Sequence, residues 1–235
     1  MDSWLPFLVI FFAVFTQSLT GFGSALVAMV FLPKLVGIQV AAPLVALIAV
    51  TIEIFLAIRY HRSLNPSTLW RLVLASVLGI PLGILALKEI SENVLLTVLG
   101  VVITGYALYA LFDFKLPELR HPCWAYGAGL ISGVLSGAYN TGGPPVVIYG
   151  ACQRWEPIEF KSNLQGFFLI SDLFVVSGHA IDHNLTPAVL HSFIWALPAI
   201  ALGILIGTSL DRYLNPAIFR KAVLVLLAIM GITLL

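Results

Sequence analysis

Charged residues are scarce in this sequence, since Asp, Glu, Lys and Arg make up only 10% of its 235 residues. A soluble globular protein has about 25% charged residues and about 45–50% apolar ones. Here 60% of the residues are hydrophobic and the mean hydropathy is +1.03. One soluble core could not hide so much apolar surface, so the composition predicts a lipid bilayer as the solvent. The formal net charge of +1 provides no polybasic face, and we expect no nucleic-acid partner.

Cysteine and catalytic motifs are also scarce. Cys123 and Cys152 are the two cysteines, and their spacing fits neither a metal site nor a redox motif. The sequence shows no nucleophile–base pair and no phosphate loop, and the glycines at 21–24 follow no strand, so they are not a dinucleotide fingerprint. We therefore expect no cofactor and no enzymatic activity. The apolar N-terminus lacks the basic start of a secretory signal, so we expect it to belong to the mature protein.

Long apolar segments fill most of the chain and predict an all-α membrane protein. Six are roughly 19–22 residues long, which suits one helical crossing of the bilayer. Two are longer, at 4–33 and 123–151, and glycine or proline interrupts them at 19–24 and 136–145. The remaining segments are roughly 40–58, 68–87, 93–112, 163–181, 188–209 and 217–235. Helix starts with a capping side chain before proline are predicted at Asn65-Pro66, Thr186-Pro187 and Asn215-Pro216.

The sequence pattern indicates an internal duplication. LNPSTL at 64–69 resembles LTPAVL at 185–190, and LGIL at 82–85 recurs at 202–205 with nearly the same offset. Each half then has one broken segment followed by three ordinary helices. The predicted division is a first transmembrane repeat at 1–112, a cytoplasmic linker at 113–122 and a second, inverted repeat at 123–235.

The distribution of Lys and Arg predicts how the broken segments run. If each crossed the bilayer once, the 12 cations would divide five and seven between the two faces, whereas cytoplasmic faces normally collect them. If each turns back, one face holds only Lys34 and Lys88 and the other holds ten. We therefore predict re-entrant hairpins and inverted halves, with both termini in the periplasm. Two short, tilted crossings would give the same count and stay an alternative.

The two breaks are the strongest indication of function. Irregular backbone at membrane depth is tolerated only inside protein or beside a water-filled cavity. Helices that begin near Ser24 and Pro144 would direct their N–H groups at the protein centre and bind an anion without Lys or Arg. The alternative is that the glycines only permit close helix packing. The predicted substrate-binding residues are Gln17, Thr20, Gly21, Phe22, Gly23, Ser24, Tyr139, Asn140, Thr141, Gly142 and Gly143.

Glu53 and Asp172 each lie inside an apolar helix, the second element of its half. Ionisable groups there are costly and are often functional. Ionised carboxylates would repel an anion beside them, and protonation would remove that repulsion, so we predict a coupling or gating role with protons as the coupled ion. The alternative is a carboxyl group that only hydrogen-bonds a neighbouring helix. Asn163, Gln165, His179 and His191 are further polar residues in or near apolar segments.

Two motifs carry a family resemblance. GFGSALVAMVFLP at 21–33 and GVLSGAYNTGGPPVVIYG at 133–150 resemble the TauE/SafE sulfite exporter family of bacterial inner-membrane proteins. The resemblance covers essentially the whole chain, although Phe22, Ser24 and Ala25 interrupt the run of glycines that members more often carry. The resemblance implies a protein of the bacterial inner membrane that exports sulfite or a small organosulfonate such as sulfoacetate or sulfolactate.

Three other functions remain as alternatives. A passive anion channel would show no dependence on a proton gradient. An intramembrane enzyme could use Asp172 and His179, which are seven residues apart and share a helix face. A membrane subunit would need a partner protein, although the loops are too short for a large docking surface. The sequence predicts neither the oligomeric state nor the coupling stoichiometry.

Overall fold

The computed structural model describes residues 4–60, 63–112, 117–119, 121–210 and 216–235. Within these ranges the regular structure is entirely helical. The helices are α1 Trp4–Thr20, α2 Ser24–Val36, α3 Ile38–Tyr60, α4 Pro66–Glu89, α5 Glu92–Phe112, α6 Cys123–Tyr139, α7 Gly143–Cys152, α8 Pro157–Ile181, α9 Pro187–Leu210 and α10 Pro216–Ile232. Five of them are long and apolar enough to cross a membrane, namely α3, α4, α5, α8 and α9. The predicted all-α membrane class is confirmed.

Both predicted breaks are present, between α1 and α2 and between α6 and α7. At the first break Gly21 and Gly23 have φ of +85° and +102°, a left-handed conformation that glycine adopts without steric cost. At the second, Asn140 caps α6 with φ of 55°. The four arms have 17, 13, 17 and 10 residues, so each is shorter than the ~20 residues that cross the hydrocarbon.

One of the predicted helix caps is confirmed and another was wrong. The Thr186 hydroxyl accepts the backbone N–H three residues later at 3.4 Å, which satisfies a donor in the first turn of α9. Asn65 precedes α4 but makes no side-chain cap, because its amide oxygen, the atom that would accept a backbone N–H, accepts from the Ser67 hydroxyl at 2.6 Å. Its amide nitrogen donates to the Glu159 carboxylate of α8 at 3.3 Å. Asn215 lies outside the described residues.

The contacts between helices repeat between α1–α5 and α6–α10. Helix α4 packs on α6 as α9 packs on α1, and α4 packs on α8 as α9 packs on α3. Helices α3 and α8 contact each other, as do α5 and α10. If each helix of α1–α5 is exchanged with the helix five places later, the main contacting pairs stay the same. The division of the chain into two repeats with the bounds given above stays a prediction.

Helices α4 and α6 join the two halves by close backbone contact. A Cβ atom at Gly83 would collide with the Val134 carbonyl oxygen, and one at Gly133 would collide with the Ser76 carbonyl oxygen. Small residues let membrane helices approach this closely. The seam contains Gly79, Gly83, Gly129, Gly133 and Gly137.

The equivalent seam between α1 and α9 also depends on glycine, and there Cβ atoms are nearer than the backbone carbonyl oxygens. A Cβ at Gly203 would lie 2.8 Å from Val14 Cβ, and one at Gly207 would lie 2.6 Å from Ser18 Cβ. Gly203 is the counterpart of Gly83 in the repeated LGIL motif. The repeated motif therefore marks the helices that hold the two halves together.

Contacts between distant loops show which segments share one end of the bundle. The Lys88 ammonium pairs with the Asp182 carboxylate at 2.9 Å, and the Lys34 ammonium donates to the Thr233 hydroxyl at 2.7 Å. At the opposite end, the Gln153 amide donates to the Leu119 carbonyl oxygen. Residues 119 and 153 flank the second broken segment, so that segment returns to the end from which it started.

The first broken segment also turns back. Pro6, near the start of α1, and Val36, at the end of α2, line the same surface cavity. A single crossing would place these two residues at opposite ends of the bundle. The structure thus agrees with the turned-back arrangement on which the orientation prediction depends, for both broken segments.

Candidate functional site

A small polar cavity lies between the two breaks. Its volume is about 30 Å³, which accommodates roughly two or three water-sized positions. Both breaks contribute to its wall, together with α3 and α8. The predicted site residues that line it are Gln17, Phe22, Gly23, Ser24, Glu53, Asn140, Thr141, Gly142, Gly143 and Asp172.

Three predicted site residues do not line this cavity. The Thr20 hydroxyl donates to the Phe22 carbonyl oxygen at 2.6 Å, which shapes the first break. The Gly21 carbonyl oxygen accepts from the Gln165 amide at 2.6 Å, so α8 of the second half fastens the break of the first. Tyr139 is buried at the end of α6. These residues position the breaks and lie behind the cavity wall.

Gln17 connects α1, α2 and α3 at the cavity. Its amide nitrogen donates to one oxygen of the Glu53 carboxylate. Its amide oxygen accepts from the Ser24 backbone N–H at 3.2 Å and also from the Ser24 hydroxyl. All three side chains are at most 3% exposed. The first N–H of α2, which we predicted as an anion donor, is therefore held by Gln17 in this conformation.

The second break has fewer backbone donors than the first. Helix α7 begins Gly143-Pro144-Pro145, and proline has no N–H group. The dipole of α7 still directs its positive end at the cavity, but fewer N–H groups accompany it. The Ser132 hydroxyl fixes the carbonyl group of Gly142 with a 2.6 Å hydrogen bond. The two breaks are therefore not chemically equivalent.

Polar atoms without partners mark the cavity wall. Buried polar side-chain atoms nearly always have a hydrogen-bond partner. Three buried atoms in lining residues have none: Asn140 Oδ1, Thr141 Oγ1 and Glu53 Oε2. A threonine hydroxyl can donate as well as accept. Thr141 therefore offers a free donor to a small polar ligand.

The charges around the cavity come from two carboxyl groups. Glu53 of α3 and Asp172 of α8 are 2% and 5% exposed, and they come from counterpart helices of the two halves. None of the described lining residues is Lys or Arg. Two ionised carboxylates would repel an anion here strongly, because solvent screens charges poorly in a buried site.

Asp172 and His179, the pair considered for an enzyme, are not brought together. The His179 ring pairs through Nδ1 with the Asn184 amide at 3.1 Å, at the end of α8. Val175 lies between them in sequence and packs into an apolar cluster with Ile80 and Ile84. In the described part of the chain no His, Cys, Asp and Glu residues group as three or more potential metal ligands.

Sequence reasoning missed several residues around the site. Ser136 and Phe168 line the cavity, but small and aromatic residues inside apolar segments have no distinguishing signal. Arg220 lies with its guanidinium carbon 5.7 Å from the centre of the Phe22 ring. The charge of Arg220 was visible in the sequence, but it counted only towards the orientation of the loops.

The membrane-length helices, the two turned-back breaks and the buried polar cavity between them define a multi-pass membrane protein of the transporter type. Residues 6–234 match the family described as "Sulfite exporter TauE/SafE". The chain therefore belongs to this family, as its motifs indicated.

One relative supports the same assignment. A protein of Cupriavidus necator described as "Probable sulfite/organosulfonate exporter TauE" is 26% identical over 213 residues, which cover 87% of this chain and 82% of that protein. No solved structure gives a significant match to the chain.

Proposed function

We propose that this protein exports sulfite or a small organosulfonate across the bacterial inner membrane, by a secondary transport mechanism coupled to protons. The family and the description of the Cupriavidus necator relative support the sulfur anion as substrate. The observation that carries the proposal is the cavity itself, where the two breaks meet and buried polar atoms lack partners.

The substrate would bind through neutral donors. The Thr141 hydroxyl is buried without a partner and can donate to the anion. The Asn140 amide oxygen only accepts, so this side chain would contribute through its NH2 group. The backbone at Gly142 and Gly143 completes the set, and the first N–H of α2 would join it on release from Gln17. Neutral donors and helix termini can hold an anion and still release it, which a transporter requires of its substrate site.

Glu53 and Asp172 would carry the coupled protons. Glu53 Oε1 is occupied by the Gln17 amide, whereas Oε2 is buried without a partner. A proton on Oε2 would turn a repelling oxygen into a donor that faces the substrate. Loss of that proton would restore the repulsion and expel the anion. Binding of protons and binding of the anion would therefore favour each other.

The volume of the cavity favours the smallest substrate in this conformation. At about 30 Å³ the space suits a compact oxyanion with few heavy atoms. An organosulfonate with a carbon chain would need the breaks to separate further. We therefore expect sulfite to be occluded in the described conformation and sulfoacetate to require a more open one.

The shared ends of the bundle support an orientation. Lys34 and Lys88 lie at one end. The other cations among the described residues belong to segments at the opposite end, namely Arg59, Arg71, Arg154, Lys161, Arg220 and Lys221. By the positive-inside rule the cation-rich end faces the cytoplasm. Both termini and the Lys88–Asp182 pair would then face the periplasm.

The test is flux of sulfite and sulfoacetate in liposomes that contain the purified protein, with and without an imposed pH gradient. We expect flux that the gradient drives, and loss of that response in Glu53→Gln and Asp172→Asn. Asp182→Asn, which removes a partly exposed carboxylate that does not line the cavity, should behave as wild type. Flux indifferent to the gradient would identify a passive channel, and no flux of either anion would reject the substrate.

A further inference from the structure

A second cavity adjoins the central one. It has a volume of about 20 Å³ and lies among α1, α2, α5 and α10. Phe22, Gly23 and Leu26 line both cavities, so these residues form the wall between them. Thr20, predicted from sequence to contact substrate, lines this second cavity instead. The first break thus has a cavity on each of two sides.

The second cavity contains a cation, which the central cavity lacks. Arg220 lines it, and the Arg220 guanidinium lies over the Phe22 ring at a distance where cation and ring attract. The buried Tyr106 hydroxyl lies near the guanidinium, and no well-aligned hydrogen bond joins the two. A guanidinium offers several N–H donors in one plane and matches the oxygens of a sulfur oxyanion.

We propose that Arg220 and Tyr106 form an anion access site, where the substrate binds before it passes Phe22 into the central cavity. The inference rests on the proposed function and adds a second substrate site to it. Arg220 lies in the first turns of α10, whereas Lys34 contacts Thr233 near the other end of that helix. The access site is therefore on the side that the orientation assigns to the cytoplasm, from which an exported anion arrives.

Phe22 is placed to respond to the anion. Its ring is attracted to the Arg220 guanidinium, and an oxyanion that pairs with Arg220 competes for the same charge. Gly21 and Gly23 flank it with left-handed φ angles, and glycine lets the backbone change φ at low cost. Binding at the access site would therefore weaken the contact that holds the ring between the two cavities.

The experiment compares binding and flux of ³⁵S-labelled sulfite for four proteins: wild type, Arg220→Gln, Arg220→Lys and Lys221→Gln. Lys221 is the adjacent exposed residue of α10 and does not line the second cavity, so its variant controls for loss of one cytoplasmic charge. In Arg220→Gln we expect the KM for sulfite to rise about three- to tenfold with little change in maximal rate, as for loss of a partly screened charge. Arg220→Lys should retain part of the affinity, and Lys221→Gln should match wild type.

Ionic strength separates this role from a structural one. Raising salt from about 20 mM to about 500 mM should shrink the difference between wild type and Arg220→Gln, because salt screens a charge effect and leaves a packing defect in place. Equal KM values for Arg220→Gln and Lys221→Gln would overturn the access site while leaving export intact. If wild type binds sulfite but does not transport it, the proposed function fails, and the binding constants of the four proteins still decide on the access site. Absence of sulfite binding to wild type would reject both.

Discussion

The Gln17 amide nitrogen donates to the Glu53 carboxylate, across 36 positions of the chain, while the amide oxygen of the same side chain holds the start of α2. One neutral side chain thereby connects the first break to a buried acid. Movement of α2 and the state of Glu53 cannot change independently while both contacts persist. Gln17 is for this reason the most informative position at the site.

Gln17→Ala should lower proton-driven sulfite flux by about tenfold or more. A hydrogen bond to a charged group contributes about 1.5–3 kcal/mol, and each 1.4 kcal/mol is a factor of ten. The measurement is the initial rate of flux into liposomes under a fixed pH gradient. Ser18→Ala is the matched control, because Ser18 is buried on the same helix and its hydroxyl donates to the Val14 carbonyl oxygen of that helix at 2.9 Å. Equal rates for the two variants would show that the Gln17 contact has no part in transport.

Thr141→Val should weaken substrate binding and leave the protein at least as stable. The Thr141 hydroxyl is buried without a partner, so removing it costs no internal hydrogen bond and spares its desolvation. With substrate present, loss of one donor should lower affinity by about five- to tenfold, the equivalent of ~1 kcal/mol. Thermal unfolding with and without sulfite measures both effects.

Ser132→Ala is the comparison for Thr141→Val. The Ser132 hydroxyl donates to the Gly142 carbonyl oxygen at 2.6 Å, so its loss leaves a buried acceptor unsatisfied. We expect this variant to be destabilised by about 1–3 kcal/mol without substrate. If Thr141→Val proves the less stable of the two, the Thr141 hydroxyl has a structural partner and is not reserved for ligand.

Gly83→Ala should destabilise the contact between the two halves. The added methyl group would collide with the Val134 carbonyl oxygen, which belongs to the backbone and cannot rotate away. Overpacking of this kind costs about 1–3 kcal/mol or more. Gly105→Ala is the control, because nothing lies within 4 Å of a Cβ there and alanine favours the helix by up to about 1 kcal/mol. The midpoint of thermal unfolding in detergent should fall for the first variant and stay level or rise for the second.

The ion pair between Lys88 and Asp182 should give a pH-dependent stability. The Lys88 ammonium donates a hydrogen bond to Asp182 and lowers the pKa of that carboxyl group. A lowered pKa in the folded state means that the contribution is complete above the unfolded value of about 3.9 and disappears as the pH falls through the lower folded value. The difference in unfolding midpoint between wild type and Asp182→Asn should therefore be constant from about pH 5 to 7 and vanish at more acid pH. A difference that grows as the pH falls would contradict the assignment.

The helices and the two breaks could be predicted from the sequence because crossing a bilayer places strong constraints on residue types. Apolar length, glycine and proline breaks and the distribution of Lys and Arg each reflect the cost of exposing polar groups to lipid. The breaks at Thr20–Ser24 and Tyr139–Gly143 were predictable for that reason. Glu53 and Asp172 could likewise be found, since a carboxyl group inside an apolar helix stands out.

The contacts at the candidate site could not be predicted, because they join residues that are far apart in the sequence. Nothing near Gln17 shows that its amide will join Glu53 and Ser24, because those partners lie on other helices. In the sequence Arg220 does not differ from the other predicted cytoplasmic cations, whereas in the structure its guanidinium lies over the Phe22 ring. Asn65 had the pattern of a helix cap, but its amide oxygen accepts from the Ser67 hydroxyl, and its amide nitrogen donates to a carboxylate on α8. Pairing between distant segments follows from tertiary packing, which local patterns do not specify.

The two seams that join the halves differ in how closely the helices approach. Where α4 packs on α6, Cβ atoms at Gly83 and Gly133 would collide with backbone carbonyl oxygens of the facing helix. Where α1 packs on α9, Cβ atoms at Gly203 and Gly207 would lie 2.8 and 2.6 Å from the Val14 and Ser18 Cβ atoms, and 3.1 Å from the nearest carbonyl oxygens. The α4–α6 seam should thus behave as the fixed axis of the molecule and α1 as the moving part. Since α1 leads directly into the first break, the cavity would open by displacement of one wall while the other stays still.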